Sequence, residues 1–226
     1  FSSDNLLQYE PDPLTDERLA GTNPIAMGYE NQKLSFSKFD DYSRCPKMFW
    51  YKHVLNALPR NQESNALYKG TIFHKIVEDV DNPEMPEKKS DLKSMLSELE
   101  SSWNQSNYLE SSVQKETEDK QSLVPAITSY QKWNSQNKNK VTDVELKFST
   151  QIGGFQVNGK IDRIEKTPEG DFIIIDYKTG GKNKKVGKVE ESLQLNMYCI
   201  ALQEHKKYGK LPKTASFFYV EKEEGQ

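Results

Sequence analysis

"IIIDYKTGG", residues 173–181, sets three isoleucines directly before an acid, a tyrosine and a lysine. A short β-branched run closed by Thr-Gly-Gly reads as a buried strand that ends in a turn. Side chains alternate along a strand, so Asp176 and Lys178 share one side of the sheet. Both are residue types seldom buried without partners. They are either the wet end of an ordinary strand or groups placed for chemistry.

The neighbouring segments decide between the two. "VELKFSTQI" (144–152), "FQVNGKIDRIEK" (155–166) and "DFIIIDYK" (171–178) all read as strands. Gly153-Gly154 suits a two-residue hairpin loop, which pairs Ile152 with Phe155 and so sets Glu145 opposite Asp162. Pro168-Glu169-Gly170 suits a three-residue loop with glycine at the positive-φ position; it pairs Thr167 with Asp171 and sets Asp162 opposite Asp176. Three carboxylates then form one row across three antiparallel strands, with Lys178 one step further along, opposite Lys160. Like charges directly opposite are destabilising, and a hard divalent ion such as Mg²⁺ or Mn²⁺ would relieve them. Val144, Leu146, Phe148, Val157, Ile161, Ile173 and Ile175 are expected on the other face, as one core. The plain alternative is a solvated polar face, with a bulge in either hairpin breaking the row.

The rest of the chain frames this meander. Of 226 residues, 35% are hydrophobic and 29% charged, so a core must coexist with long polar stretches. Residues 1–33 are polar and carry prolines and glycines; they read as an irregular arm, with a domain over 34–226. Ser35 or Ser37 can cap a short helix and Pro46 can open a second. Residues 70–80 show a helical apolar pattern. A helical insertion is expected over about 81–140, with helices at 91–106 and 112–137 and an interruption near Pro125. Residues 189–209 read as a helix, and 215–222 as a last strand. The fold class is mixed α/β (α+β): a three-strand meander, a helix and a further strand, flanked by helices.

Cys45 and Cys199 form no disulfide framework, and a reducing, intracellular (cytoplasmic) setting is expected. No run approaches the roughly 18 apolar residues of a membrane span, so no membrane partner is expected. The net charge of −3 makes the whole chain no polycation; nucleic-acid contact requires a local patch.

"GKIDRI" and "IIIDYKTG" together resemble the second half of the PD-(D/E)xK nuclease motif. "GTIFH" (70–74) resembles the G-x-x-x-H helix of that superfamily's RecB-like branch. "QLNMY" (194–198) resembles its Q-x-x-x-Y helix, and "LSFSKFDDYSRCPKMFWYKHVL" its N-terminal helical element. One D-x-K would be a weak signal; four motifs in family order from about 34 to 222 are a strong one. The resemblance implies a restriction-endonuclease-like core and a metal-dependent deoxyribonuclease. It implies an exonuclease or helicase-linked domain in DNA repair or recombination, with DNA and a helicase, in cis or in trans, as partners. It implies Mg²⁺ or Mn²⁺ held by His74, Asp162, Asp176 and the Tyr177 carbonyl, with Lys178 catalytic and Glu145 a further acid. Gln194 and Tyr198 would support the site and touch DNA. Some relatives hold a [4Fe–4S] cluster, which needs four thiolates; two cysteines leave none expected from this chain.

Each residue also has a plainer reading. His74 and the Gln194–Tyr198 pair could be satisfied core groups. Phe36, Phe39, Tyr42, Phe49, Trp50 and Tyr51 could stack on bases, but their helical spacing favours core or interface. Lys182, Lys184 and Lys185 form either a solvated loop or, following Lys178, a grip on DNA phosphates. At the level of the whole chain, the alternatives are an inactive nucleic-acid-binding module of the same fold, or an unrelated α/β protein with a chance motif.

Overall fold

The computed structural model describes residues 33–57, 64–85, 90–104, 112–179 and 192–219. The expected arm up to residue 32 and the lysine-rich stretch 182–188 lie outside the described residues.

Helix starts follow local chemistry. The Ser35 hydroxyl caps α1 (Phe36–Arg44), and Cys45 caps α2 (Pro46–Phe49) with Pro46 at its first position; a π-helical turn, Trp50–Val54, follows. α3 (Asn65–Asp81) starts five residues before the expected pattern, because Ser64 caps it by accepting the Leu67 amide. α4 (Leu92–Ser102) and α5 (Val113–Gln121) are capped by Asp91 and Ser112. The break expected near Pro125 falls at Ser122, before α6 (Leu123–Gln136). Pro125 therefore sits in a first turn, where its missing N–H costs no hydrogen bond.

β1 (Lys140–Ile152), β2 (Phe155–Lys166) and β3 (Phe172–Lys178) form the meander; α7 (Leu193–Glu204) then leads to β4 (Thr214–Tyr219). The sheet order is β1-β2-β3-β4, with β4 parallel to β3 and the other neighbours antiparallel. Both hairpins have the expected register: Ile152 pairs with Phe155, and Thr167 N–H donates to the Asp171 carbonyl at 2.8 Å. Gly153 and Gly154 both take positive φ (58° and 85°), the conformation that a tight two-residue turn demands.

The single core face expected of the meander does not form. Leu146, Phe148, Val157 and Ile161 pack beneath α7 with Leu195, Ala201 and Leu202. Ile173 and Ile175 pack on the opposite side, against Phe73, Ile76, Ile127 and Tyr130 of α3 and α6. The reason lies in β1 and β2. Strict alternation from Ile161 would send Arg163 under α7, yet Arg163 bonds Asp81 and Tyr130 on the other side. The alternation slips by one at Asp162. In β1 it slips at Glu145, which has φ of 51° and no partner in the ladder. Both strands gain one irregular residue at the same level, so the register is unchanged while the faces exchange. The sheet is thus covered on both sides, by α7 on one and by α3, α4 and α6 on the other. Among the described residues no helix is long and apolar enough to cross a membrane.

Two glycines permit close approaches. A Cβ on Gly70 of α3 would lie 3.1 Å from Thr179 Oγ1, so this glycine lets α3 close on the end of β3. A Cβ on Gly159 would lie 2.4 Å from the Phe148 ring across the β1–β2 ladder. Gly159→Ala should therefore cost roughly 1–3 kcal/mol in urea denaturation, the usual range for overpacking. An unchanged midpoint would mean that the Phe148 ring moves aside freely.

Candidate functional site

The end of β3 opens into a cleft of about 630 Å³ between α3 and α7, floored by β1 and β2. Asp176 and Lys178 project into it together, as strand alternation requires. Glu145 and Asp162 enter from the level where β1 and β2 slip. The row of three carboxylates drawn from the turns is therefore present, on three adjacent strands.

Asp162 is 9% exposed, and its Oδ2 accepts the Tyr177 backbone N–H at 2.8 Å. The β2–β3 ladder ends at Arg163–Ile175, so this side chain takes up an amide just beyond the last pair. α3 brings His74 to the same place. Its Nε2 lies 3.2 Å from the Tyr177 carbonyl, and its Nδ1 lies 3.6 Å from Asp162 Oδ2 and 3.9 Å from Glu145 Oε1. A carbonyl can only accept, so Nε2 carries the hydrogen. In the neutral ring Nδ1 then offers a lone pair towards two carboxylates.

α7 supplies the opposite wall. The Gln194 amide donates through Nε2 to Asp176 Oδ1 at 2.9 Å and accepts Lys178 Nζ on Oε1 at 3.0 Å. The Tyr198 hydroxyl donates to Asp176 Oδ1 at 3.2 Å; burial first, then the Asp176 charge, raises its pKa, so it remains a donor. Gln194 and Tyr198, four apart on one helix face, thus hold Asp176 between them. Lys178 Nζ also lies 2.5 Å from Asp176 Oδ2 and stands over the Phe217 ring.

Several features fit a divalent cation. Ligand atoms of His74, Glu145 and Asp162 lie within 4.8 Å of one another. Among the described residues, Glu145 Oε2 and Asp176 Oδ2 are buried and accept no directed hydrogen bond; each meets an ammonium, from Lys160 and Lys178 respectively. A set of oxygens with one imidazole nitrogen suits a hard or borderline ion. Asp162 shows the electrostatic cost of the arrangement. Burial, and then the neighbouring Asp176 charge, raise its pKa from 3.8 to about 6, against the lowering influence of His74.

All the residues singled out around the row therefore meet in the cleft: His74, Glu145, Asp162, Asp176, Tyr177, Lys178, Gln194 and Tyr198. Lys182, Lys184 and Lys185 lie outside the described residues. Lys160, which pairs with Glu145 at the cleft wall, was given no role by sequence reasoning, although the register that set it opposite Lys178 was the available signal. Of the aromatic residues before 52, Phe49 is buried and Phe36 and Phe39 pack on the core, whereas Tyr42 and Tyr51 are exposed.

The family model for the PD-(D/E)XK nuclease superfamily matches residues 33–226. Among solved structures, one similar chain is a protein from Eubacterium rectale assigned as an exonuclease. It shares 13% sequence identity, with 88% of this chain and 72% of that chain covered and a TM-score of 0.48. Among curated protein sequences none matches.

The raised Asp162 pKa predicts a pH-dependent stability without metal. Below 3.8 the group is protonated both folded and unfolded, and no cost arises. Between 3.8 and about 6 the unfolded chain ionises this group while the folded chain, with burial and Asp176 opposing the charge, keeps its proton, so stability falls across that window and stays lost above it. Without metal, Asp162→Asn should be more stable than the parent at pH 8 by roughly 1–3 kcal/mol. The gap should close near pH 4. A pH-independent gap in thermal denaturation would contradict the charge argument.

Proposed function

Because the chain belongs to the PD-(D/E)XK nuclease superfamily, we propose that it is a metal-dependent deoxyribonuclease that hydrolyses DNA phosphodiester bonds. We assign it to the RecB-like branch, as an exonuclease or helicase-linked domain acting in repair or recombination. The observation that carries the reading is the cleft itself, where three carboxylates, one histidine and one lysine from four separate elements converge. Every matched motif position is filled, which favours an active enzyme over a binding module of the same fold.

His74, Glu145, Asp162, Asp176 and the Tyr177 carbonyl would hold the Mg²⁺ or Mn²⁺. A divalent ion bound there supplies water activation and charge relief on the leaving oxygen. The remaining work falls to the chain. Lys178, held by Gln194 and Asp176, orients the attacking water and offsets negative charge gathering on the phosphate. A planar guanidinium would not replace its compact ammonium. Gln194 and Tyr198 hold Asp176 in place and stand where DNA would pass. Lys160, half-exposed beside Glu145, adds positive charge at the cleft wall.

End-labelled single- and double-stranded DNA should be digested with Mn²⁺ and left intact in chelator. Lys178→Ala should lower cleavage about 10²–10³-fold, the scale for losing one preorganised charged group, while calorimetry shows nearly unchanged Mn²⁺ binding. Asp162→Asn and Asp176→Asn should lose metal and activity together. Parental cleavage by Lys178→Ala would remove the central residue of the reading.

Reversing Lys182, Lys184 and Lys185 to Glu should weaken DNA binding and flatten its dependence on salt, since fewer counterions are released. Unchanged affinity at low salt would exclude this loop as a phosphate grip.

A further inference from the structure

Tyr177 faces two ways. Its backbone belongs to the cleft: the N–H holds Asp162 and the carbonyl holds His74. Its side chain, between Asp176 and Lys178, alternates to the other face of the sheet and is buried there. The Tyr177 hydroxyl donates to Asp81 Oδ2 at 3.0 Å and lies 3.4 Å from Arg163 Nη1. Arg163 Nη1 also reaches Asp81 Oδ2 at 2.6 Å and the Tyr130 hydroxyl at 3.0 Å, and Tyr130 in turn donates to Asp81 Oδ1. Arg163 Nη2 reaches Glu165 Oε1 at 2.7 Å, and the guanidinium lies against the Trp133 ring.

This cluster is nearly dry: the side chains of Arg163, Asp81 and Glu165 are each 1% exposed. Two carboxylates flank one guanidinium, and among the described residues Arg163 Nε has no hydrogen-bond partner. Such a buried ionic cluster gives little net stability, because desolvation offsets its attraction; well-packed apolar residues commonly do as well. Its value is directional. Arg163 directly follows Asp162 in β2, and Asp81 closes the helix that carries His74. Tyr177 is the middle residue of the acid-x-lysine segment. Asp81, Arg163 and Tyr177 are thus each tied through the chain to the cleft, and Tyr130 joins them from α6.

We propose that Asp81, Arg163, Tyr130 and the Tyr177 hydroxyl form a positioning device, set behind the sheet, that fixes the Tyr177 backbone and the rotation of α3. Asp162, His74 and the Tyr177 carbonyl thereby converge before any cation arrives. None of the three residues behind the sheet touches the cleft. The role rests on reading that cleft as a cation site, and its first test is made without metal so that the two can fail separately.

Arg163→Ala would leave the buried carboxylates of Asp81 and Glu165 without their cation and destabilise the whole chain, so the informative variants are Tyr177→Phe and Tyr130→Phe, which keep the rings. In metal-free protein, amide hydrogen exchange at residue 177 should rise at least tenfold while that at Ile174 changes less than threefold. General loosening would raise both alike. By calorimetry the Mn²⁺ dissociation constant should rise at least fivefold in both variants. In Ile127→Val, a core change outside the cluster, it should stay within twofold. Unaltered exchange at residue 177, or exchange rising in parallel at Ile174, overturns the proposal. So does a local rise in exchange with Mn²⁺ affinity unchanged, or an equal loss of affinity in Ile127→Val. If the parental protein binds no Mn²⁺, the metal reading falls, and exchange alone decides whether the cluster holds Tyr177.

Discussion

The hydrogen bond from the Tyr177 amide to the Asp162 carboxylate stands where sheet becomes site. Above it, β2 and β3 pair backbone to backbone; at its level a side chain has taken over one strand's donor. A buried amide must find an acceptor, and a buried carboxylate must find donors. Each satisfies the other, and the strands are free to part. The cleft between α3 and α7 opens at this level, and the residues on either side of Tyr177 line it. A backbone N–H on a central strand is a rigid donor. Asp162 is therefore fixed as firmly as the sheet itself.

The cleft is built at a cost in stability. Two neighbouring carboxylates, one of them with its pKa raised to about 6, are held beside a third. Two lysines and a histidine offset part of that charge. Among the described residues these contacts leave the conflict in place, because Glu145 Oε2 and Asp176 Oδ2 still lack directed donors. Such a set is favourable only with a cation or with protons. Sites that do chemistry commonly carry this kind of strain, and the surrounding structure must hold it. Here two cores do so, one on each face of the sheet. α3 and α7 clamp the end of β3 from opposite sides, one carrying His74 and the other Gln194 and Tyr198.

The paired irregularity at Glu145 and Asp162 links the two cores. It moves Arg163 away from α7 and into the polar cluster behind the sheet, while the partners from Asp143 to Ile152 stay where the first turn put them; only beyond Asp143 does the β1–β2 pairing shift by one. Regular strands could have kept the same register, but not Ile161 under α7 together with Arg163 against Asp81. The left-handed backbone at Glu145 is the local cost, since a β-carbon disfavours positive φ. Its return is a carboxylate brought level with Asp162 and within reach of His74.

Local chemistry in the sequence determined a good deal: the hairpin registers from their glycines, the row of three acids, the helix caps, and four motifs in order along one chain. Turn geometry and strand period act over a few residues, so they can be read from a few residues. The tertiary structure alone decided that β1 and β2 exchange faces. A slip shared by both strands leaves the pairing untouched, and pairing was all that the turns reported. It also decided that Arg163, beside Asp162 in β2, is buried with Asp81 and Glu165. That fate depends on α3 and α6, and the contact joins residues 82 positions apart. The meeting of His74 with the carboxylates spans 103 positions to the Tyr177 carbonyl. No periodicity encodes such a distance; it is set when the two faces of the sheet are packed.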